Sequence, residues 1–240
     1  MRRWGVLGFA GALVVLAPAS ARPAEVDLLL VLAVDVSASI SQERWDLQRR
    51  GYAQAFRNAD VIGAIRNGRR GAIAVTLVEW AGADQQKQVI DWTVIGNADE
   101  ADSFAATLAE VPRFFSGSTS ISGGIDYGVR LLEASEHDAD RRVIDVSGDG
   151  SNNAGRPVAV ARDRAVARGI TINGLPILAD EPYVDQHYRE HVIGGPGAFL
   201  IVAKDFASFA GAILDKLVRE IARAALTGED EAAGSALAFY

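Results

Sequence analysis

The chain contains no cysteine. That excludes disulfides, thiolate metal sites, a cysteine nucleophile and a lipid-bearing cysteine behind an export signal. Histidine is almost as scarce: His137, His187 and His191 are the only three. A serine–histidine triad therefore has little to draw on, and no Gly-x-Ser-x-Gly elbow is present. Gly194-Gly195-Pro196-Gly197 lacks the Lys-Ser/Thr of a phosphate-binding P-loop and does not lead from a strand into a helix, so it reads as a tight loop before the last strand. An excess of basic charge is missing too. Lys and Arg number 24 against 31 Asp and Glu, a formal net charge of -7, which makes nucleic acid and anionic membrane surfaces poor partners.

What is present is ordinary for a folded protein: 49% hydrophobic and 23% charged residues over 240 positions, with no break in composition. One folded unit is expected. The N-terminus stands apart, because Arg2 and Arg3 precede an apolar run from Val6 to Ala17 and then Ala19-Ser20-Ala21. This is the layout of a secretory signal peptide cleaved after Ala21. The alternative is a signal anchor, but the run is shorter than the ~20 residues a spanning helix needs. The expected division is signal peptide 1–21, linker 22–26, folded domain 27–225 and flexible tail 226–240. Cleavage removes Arg2 and Arg3 and moves the formal charge from -7 to -9. The mature protein is expected in the periplasm or outside the cell, with no membrane insertion.

Asp27 to Val34 is an uninterrupted apolar run of strand length, the pattern of a central strand covered on both faces. The period then changes. Ser39 and Gln42 have capping-box spacing, and Trp45, Tyr52 and Phe56 recur at helical intervals. Gly71–Trp80 and Gln88–Ile95 are β-rich and separated by Gly82-Ala83-Asp84, which predicts a hairpin with an antiparallel edge. Helices are predicted over about 99–111, stopped by Pro112, and over 121–132. Arg142–Val146 reads as another buried strand, followed by a helix that starts at Pro157 and ends at Gly169. Ile170–Ile177 and Ala198–Ala203 read as two further strands, and Asp205 as the cap of a last helix with one apolar stripe. Alternating strands and helices imply a three-layer, doubly wound, mostly parallel α/β sheet with one antiparallel edge strand and helices on both faces. Ligands bind such sheets at the carboxyl ends of the strands.

At the end of the first strand stands Asp35-Val36-Ser37-Ala38-Ser39. A spacing of two in extended chain puts Asp35, Ser37 and Ser39 on one side. One carboxylate and two hydroxyls are hard oxygen donors, suited to Mg²⁺ or Mn²⁺ rather than Zn²⁺. They do not fill an octahedron. The loops at Gly117-Ser118-Thr119-Ser120 and Ser147-Gly148-Asp149-Gly150 are placed to supply the rest. Taken singly, Ser37, Ser39 and Thr119 also read as helix caps, and Asp149 as an Asp-Gly turn.

Asp35-x-Ser37-x-Ser39, followed by Thr119 and Asp149, resembles the metal-ion-dependent adhesion site of von Willebrand factor type A domains. The resemblance spans about 27–225, and all five motif positions match. It implies that the serines and the threonine ligate a divalent cation directly, and that the aspartates do so directly or through water. Mg²⁺ is expected, with Mn²⁺ or Ca²⁺ as substitutes. The partner it implies is a protein whose Asp or Glu carboxylate completes the coordination, and no enzyme activity is expected. More narrowly, Val146-Ser147-Gly148-Asp149-Gly150 and Val192-Ile193-Gly194-Gly195-Pro196-Gly197-Ala198-Phe199 are similar to bacterial exported A-domain-like proteins catalogued as domain of unknown function 1194. No activity follows from that name.

Other signals compete. His187-Tyr188-Arg189-Glu190-His191 matches the H-x-x-E-H pattern of one class of zinc protease, which would make the protein a hydrolase. Pro182 and Gly194 pen that segment in and leave little room for helix. A metal-dependent hydrolase, at this pair or at the adhesion-type site, and a metal-free structural domain are the alternatives to a binding module. Asp145, in phase with Ser147 and Asp149, is either a group behind the metal ligands or the partner of an arginine such as Arg141. Glu79, beside Trp80, stands near the metal or in an ordinary ion pair.

Overall fold

The computed structural model describes residues 23–224. The predicted signal peptide and tail lie outside them. Five strands form one sheet in the order β3, β2, β1, β4, β5. In chain order the elements are β1 (Glu25–Asp35), α1 (Gln42–Arg57), α2 (Ala59–Arg66), β2 (Ile73–Trp80), β3 (Gln86–Ile95), α3 (Ala98–Glu110), α4 (Ile121–Ala134), β4 (Asp138–Gly148), α5 (Val158–Val166), β5 (Ile170–Pro176), α6 (Val184–His187) and α7 (Phe209–Ala224). A π-turn over Tyr188–Val192 extends α6. Among the described strands β3 alone runs antiparallel, paired with β2 as the hairpin signal predicts.

β1 lies at the centre, and beyond Glu25 every residue of it is buried. Alternate side chains serve two cores. Leu28, Leu30, Leu32 and Val34 pack with α1, α2, α3 and α7, while Leu29, Val31 and Ala33 pack with α4, α5 and α6. β2 flanks β1 on one side and β4 on the other. The connection after β1 therefore runs to one side of it and the later connection to β4 runs to the other, which opens a crevice at the carboxyl ends of β1 and β4. Asp35 and Gly148 end those two strands. Two glycines bring α4 down onto the sheet. A Cβ on Gly124 would lie 2.9 Å from the Trp80 ring, and one on Gly128 3.0 Å from Ile144. This close approach seats the start of α4 at the same crevice.

The structure departs from the sequence reading in several places. β1 begins at Glu25, inside the expected linker. The cap of α1 is Ser41, whose side chain accepts from Arg44 N, and not Ser39. A second helix, α2, follows α1 because Asn58 ends one and caps the other. Pro157 is the cap position of α5, one residue before the helix. Ala198–Ala203 does not form a strand. It touches β5 at the isolated bridge Gly174↔Leu200 and the residue after β5 at Ile177↔Ala203. Between them sits Pro176, which has no N–H to continue a ladder. Asp205 closes a turn by accepting from Ser208 N at 2.7 Å, and α7 starts only at Phe209.

Candidate metal centre

Asp35 is fully buried at the end of β1. Its Oδ1 accepts the Ser37 amide at 2.7 Å, and its Oδ2 has no hydrogen-bond partner among the described residues. The backbone after it is fixed from several sides. Val36 N donates to Trp80 O at 2.9 Å and Ala38 N to Gly117 O at 2.8 Å. The Arg113 guanidinium donates to both Val36 O and Ser37 O at 2.9 Å. The loop carrying the two serines is thus tied to the loop carrying Thr119.

Thr119 is tied in turn to the loop after β4. Its amide donates to Asn153 Oδ1 at 2.8 Å, and Asn153 N returns to Thr119 O at 2.9 Å. The cap of α4 is the next residue, Ser120, whose hydroxyl accepts from Gly123 N. Helix capping therefore engages Ser41 and Ser120 and leaves the hydroxyls of Ser37, Ser39 and Thr119 to other uses.

The third loop presents Asp149. Ser39 Oγ donates to its Oδ1 at 2.7 Å, and Ser37 Oγ lies 3.2 Å from Ser39 Oγ. Arg44 reaches Asp149 Oδ2 at 3.2 Å and binds Asp180 through two nitrogens. A cleft of about 190 Å³ opens here, lined by Ser39, Thr119, Asp149, Gly150, Asp180 and Glu181 among others. Glu181 accepts the amide and hydroxyl of Ser151. Burial pushes the Asp35 pKa up to about 7; hydrogen bonds from Ser37 oppose the rise and the Asp149 charge adds to it. Asp149 is also raised by burial, against the pull of Ser39 and Arg44. Below the cleft, a Cβ on Gly148 would lie 2.8 Å from Asp35 Oδ2 and 2.9 Å from the Tyr188 hydroxyl. That hydroxyl is buried without a hydrogen-bond partner among the described residues, and burial followed by the charge of Asp35 raises its pKa.

The three residues suspected behind the candidate ligands have other partners. Asp145 pairs with Lys216, 2.6 Å away and also without solvent exposure; Arg141 instead pairs with Glu220 at 3.1 Å. Ser147 is 3.3 Å from the Tyr52 hydroxyl, under the sheet. Glu79 makes no ion pair among the described residues and accepts the Phe114 amide at 2.8 Å. The His187 and His191 rings lie 5.2 Å apart, on a segment that is helical from Val184 to Val192, contrary to the expectation of little helix. Among the described residues they join no group of three metal-binding side chains. Arg44, Arg113, Asn153, Tyr188, Asp180 and Glu181 were not foreseen from the sequence. Only Asp180 and Glu181 had a signal, since they follow β5 at the carboxyl end of the sheet.

A family model described as "Protein of unknown function (DUF1194)" matches residues 25–225. No curated protein matches the chain. Among solved structures, the chain is similar to proximal thread matrix protein 1 from the mussel byssus, with TM-score 0.60 and 14% identity over 82% of this chain and 49% of that one. It is similar to the pilus adhesin SpaC of Lactobacillus rhamnosus GG, with TM-score 0.59 and 16% identity over 84% of this chain and 31% of that one. The chain thus spans less than half of either protein. The vWF domain of the type V pili tip protein Mfa5 from Porphyromonas gingivalis matches with TM-score 0.57 and 11% identity, over 88% of this chain and 98% of that one. A further structure of the mussel protein is described as having a zinc-occupied MIDAS motif. At these identities the likeness is one of fold.

Proposed function

The chain belongs to the family described as protein of unknown function DUF1194 and has the von Willebrand factor type A fold; from that premise we propose that it is an exported module that binds one divalent cation and, through it, a partner protein. Asp35, Ser37, Ser39, Thr119 and Asp149 would hold the cation, and an Asp or Glu carboxylate of the partner would complete its coordination. The observation that supports this is the hydrogen bond from Ser39 to Asp149, which joins loops 110 residues apart beside the unpartnered Oδ2 of Asp35.

The donor set fits a hard cation, being two carboxylates and three hydroxyls with no nitrogen or sulfur. Mg²⁺ is favoured, with Mn²⁺ or Ca²⁺ as substitutes, although the mussel relative carries zinc at its own motif. The bound cation supplies a positive centre with affinity for oxygen anions. The protein's own residues prepare the approach. Arg44 occupies Asp180, and Ser151 occupies Glu181, so both rim carboxylates are engaged when a third arrives. Export rests on the signal-peptide pattern of residues 1–21. It also agrees with the surface settings named for the pilus relatives. Among the described residues no helix is long and apolar enough to cross a membrane.

The test is metal binding read by calorimetry and by thermal unfolding. A cation at about 100 times its Kd stabilises by about 2.7 kcal/mol. For a domain of this size that is a rise in Tm of about 5–10 °C. The rise is expected with Mg²⁺ or Mn²⁺, absent in EDTA and absent in Asp35→Ala/Ser37→Ala. Equal Tm with and without each cation, or equal affinity in the variant, refutes the proposal. A pull-down from envelope extract, with Mg²⁺ and again with EDTA, then reads the partner.

A further inference from the structure

On the side of the sheet away from α1 and α7, helix α4 packs against α5. Between them lies a cleft of about 200 Å³ that shares no residue with the metal cleft. Arg130 of α4 and Arg156, Arg164 and Arg168 in and around α5 line it, together with Asp126, Val129 and Glu133 of α4. Ion pairs close both ends. Arg156 Nε is 3.1 Å from Asp126 Oδ2, and Arg168 Nε is 2.8 Å from Glu133 Oε1.

Arg130 and Arg164 lie between those pairs. On α4, Arg130 follows Asp126 by four residues and precedes Glu133 by three, so both of its carboxylate neighbours are already taken from across the cleft. Arg164 lies one helical turn before Arg168. Neither guanidinium has an ion pair among the described residues. Arg130 sits over its own helix's Tyr127, 5.1 Å from the ring centroid, a stacking that leaves its in-plane N–H donors free.

Four guanidinium groups against two carboxylates leave an excess of two positive charges in one concavity of an acidic protein. We propose that this cleft is a binding site for a small phosphate-class anion, either inorganic phosphate or a phosphate monoester, held between Arg130 and Arg164. A phosphate carries about -1.5 to -2 at neutral pH and offers several acceptor oxygens, which matches the excess charge and two bidentate forks. The acidic ends limit the site to a small anion. A polyanion running through it would meet Asp126 and Glu133, and then a chain of net negative charge.

The full chain, treated with EDTA so that the metal cleft takes no part, is titrated by calorimetry at low ionic strength. One arm uses inorganic phosphate and the other glucose 6-phosphate. Saturable binding is expected in at least one arm, weakened about tenfold or more in R130Q/R164Q, since each fork contributes a charge-assisted hydrogen bond. Both residues are exposed, so the variant is expected to unfold at the wild-type temperature. D126N, which frees Arg156 from its partner, is expected to bind phosphate more tightly and guards against a folding artefact. Tighter binding of inorganic phosphate assigns the free anion, and tighter binding of the sugar phosphate assigns an ester. No saturable binding in either arm at millimolar concentration, or binding undiminished in R130Q/R164Q, overturns the proposal.

Discussion

Glu79 offers a test of how burial governs this fold. It sits without exposure near the end of β2, with Oε2 on the Phe114 amide and Oε1 without a partner. Burial pushes its pKa from 4.5 up to about 7, while the Phe114 amide and the charges of Arg113 and Lys87 pull against the rise. A carboxyl with a folded-state pKa above its unfolded value holds more protons when folded, in the window between the two. Stability therefore falls as pH rises from about 4.5 to about 7, and the loss is complete above that. At about 1.4 kcal/mol per pKa unit the full effect is about 3 kcal/mol. Glu79→Gln keeps an oxygen for the Phe114 amide and removes the charge. Urea unfolding in EDTA is expected to give the variant near wild-type stability at about pH 5 and an advantage of about 2–3 kcal/mol at about pH 8. If the difference between variant and wild type is the same at both pH values, Glu79 titrates normally and burial does not control it.

Two further perturbations follow from the packing. Lys216→Ala leaves Asp145 buried without its cation and is expected to cost about 3–5 kcal/mol by urea midpoint, whereas Lys216→Met with Asp145→Leu stays near wild type. Gly148→Ala drives a Cβ to within 2.8 Å of Asp35 Oδ2. It is expected to cost about 1–3 kcal/mol and to abolish any rise in Tm with Mg²⁺; an unaltered rise would separate Asp35 from the cation.

The elements legible in the sequence are those whose signal is local. The apolar run of β1, the turn residues between β2 and β3 and the helical period of α4 each encode their structure within a dozen residues. Asn58 carried a local signal as well, since its side chain caps α2 by accepting from Asp60 N at 2.8 Å, but the aromatic period of α1 overshadowed it. The edge beyond β5 was misread because Ala198–Ala203 has strand composition, and only the register against Pro176 shows that the ladder breaks. In the candidate site, the Asp35, Ser37 and Ser39 set was readable from its spacing. Thr119 and Asp149 depended on the resemblance. Arg44 and Arg113 were harder to read, because beside the local contact of Arg44 with Ser39 O their contacts to the other site loops span 76 to 136 positions.

The buried carboxylates of this fold differ in how their charge is met. Asp35 and Asp145 lie on neighbouring strands, and neither has solvent exposure. Burying an ionised carboxylate is costly unless an opposite charge or hydrogen bonds compensate it. For Asp145 the chain supplies Lys216 at 2.6 Å. Glu79 has the Phe114 amide and the charges of Arg113 and Lys87 beyond ion-pair distance, which do not offset its burial, and its pKa stays raised to about 7. Asp35 receives hydrogen bonds from Ser37 but no cation, and its nearest charged influence is a second carboxylate, Asp149. Arg44 does not resolve this, because it is held at the rim by Asp180 and reaches only Asp149. Buried Glu220 is met by Arg141, and buried Asp27 by the backbone amides of Arg70 and Ala72. Asp35 has no basic side chain beside it, and its Oδ2 has no hydrogen-bond partner among the described residues, so the proposed cation is the group that would compensate it when ionised.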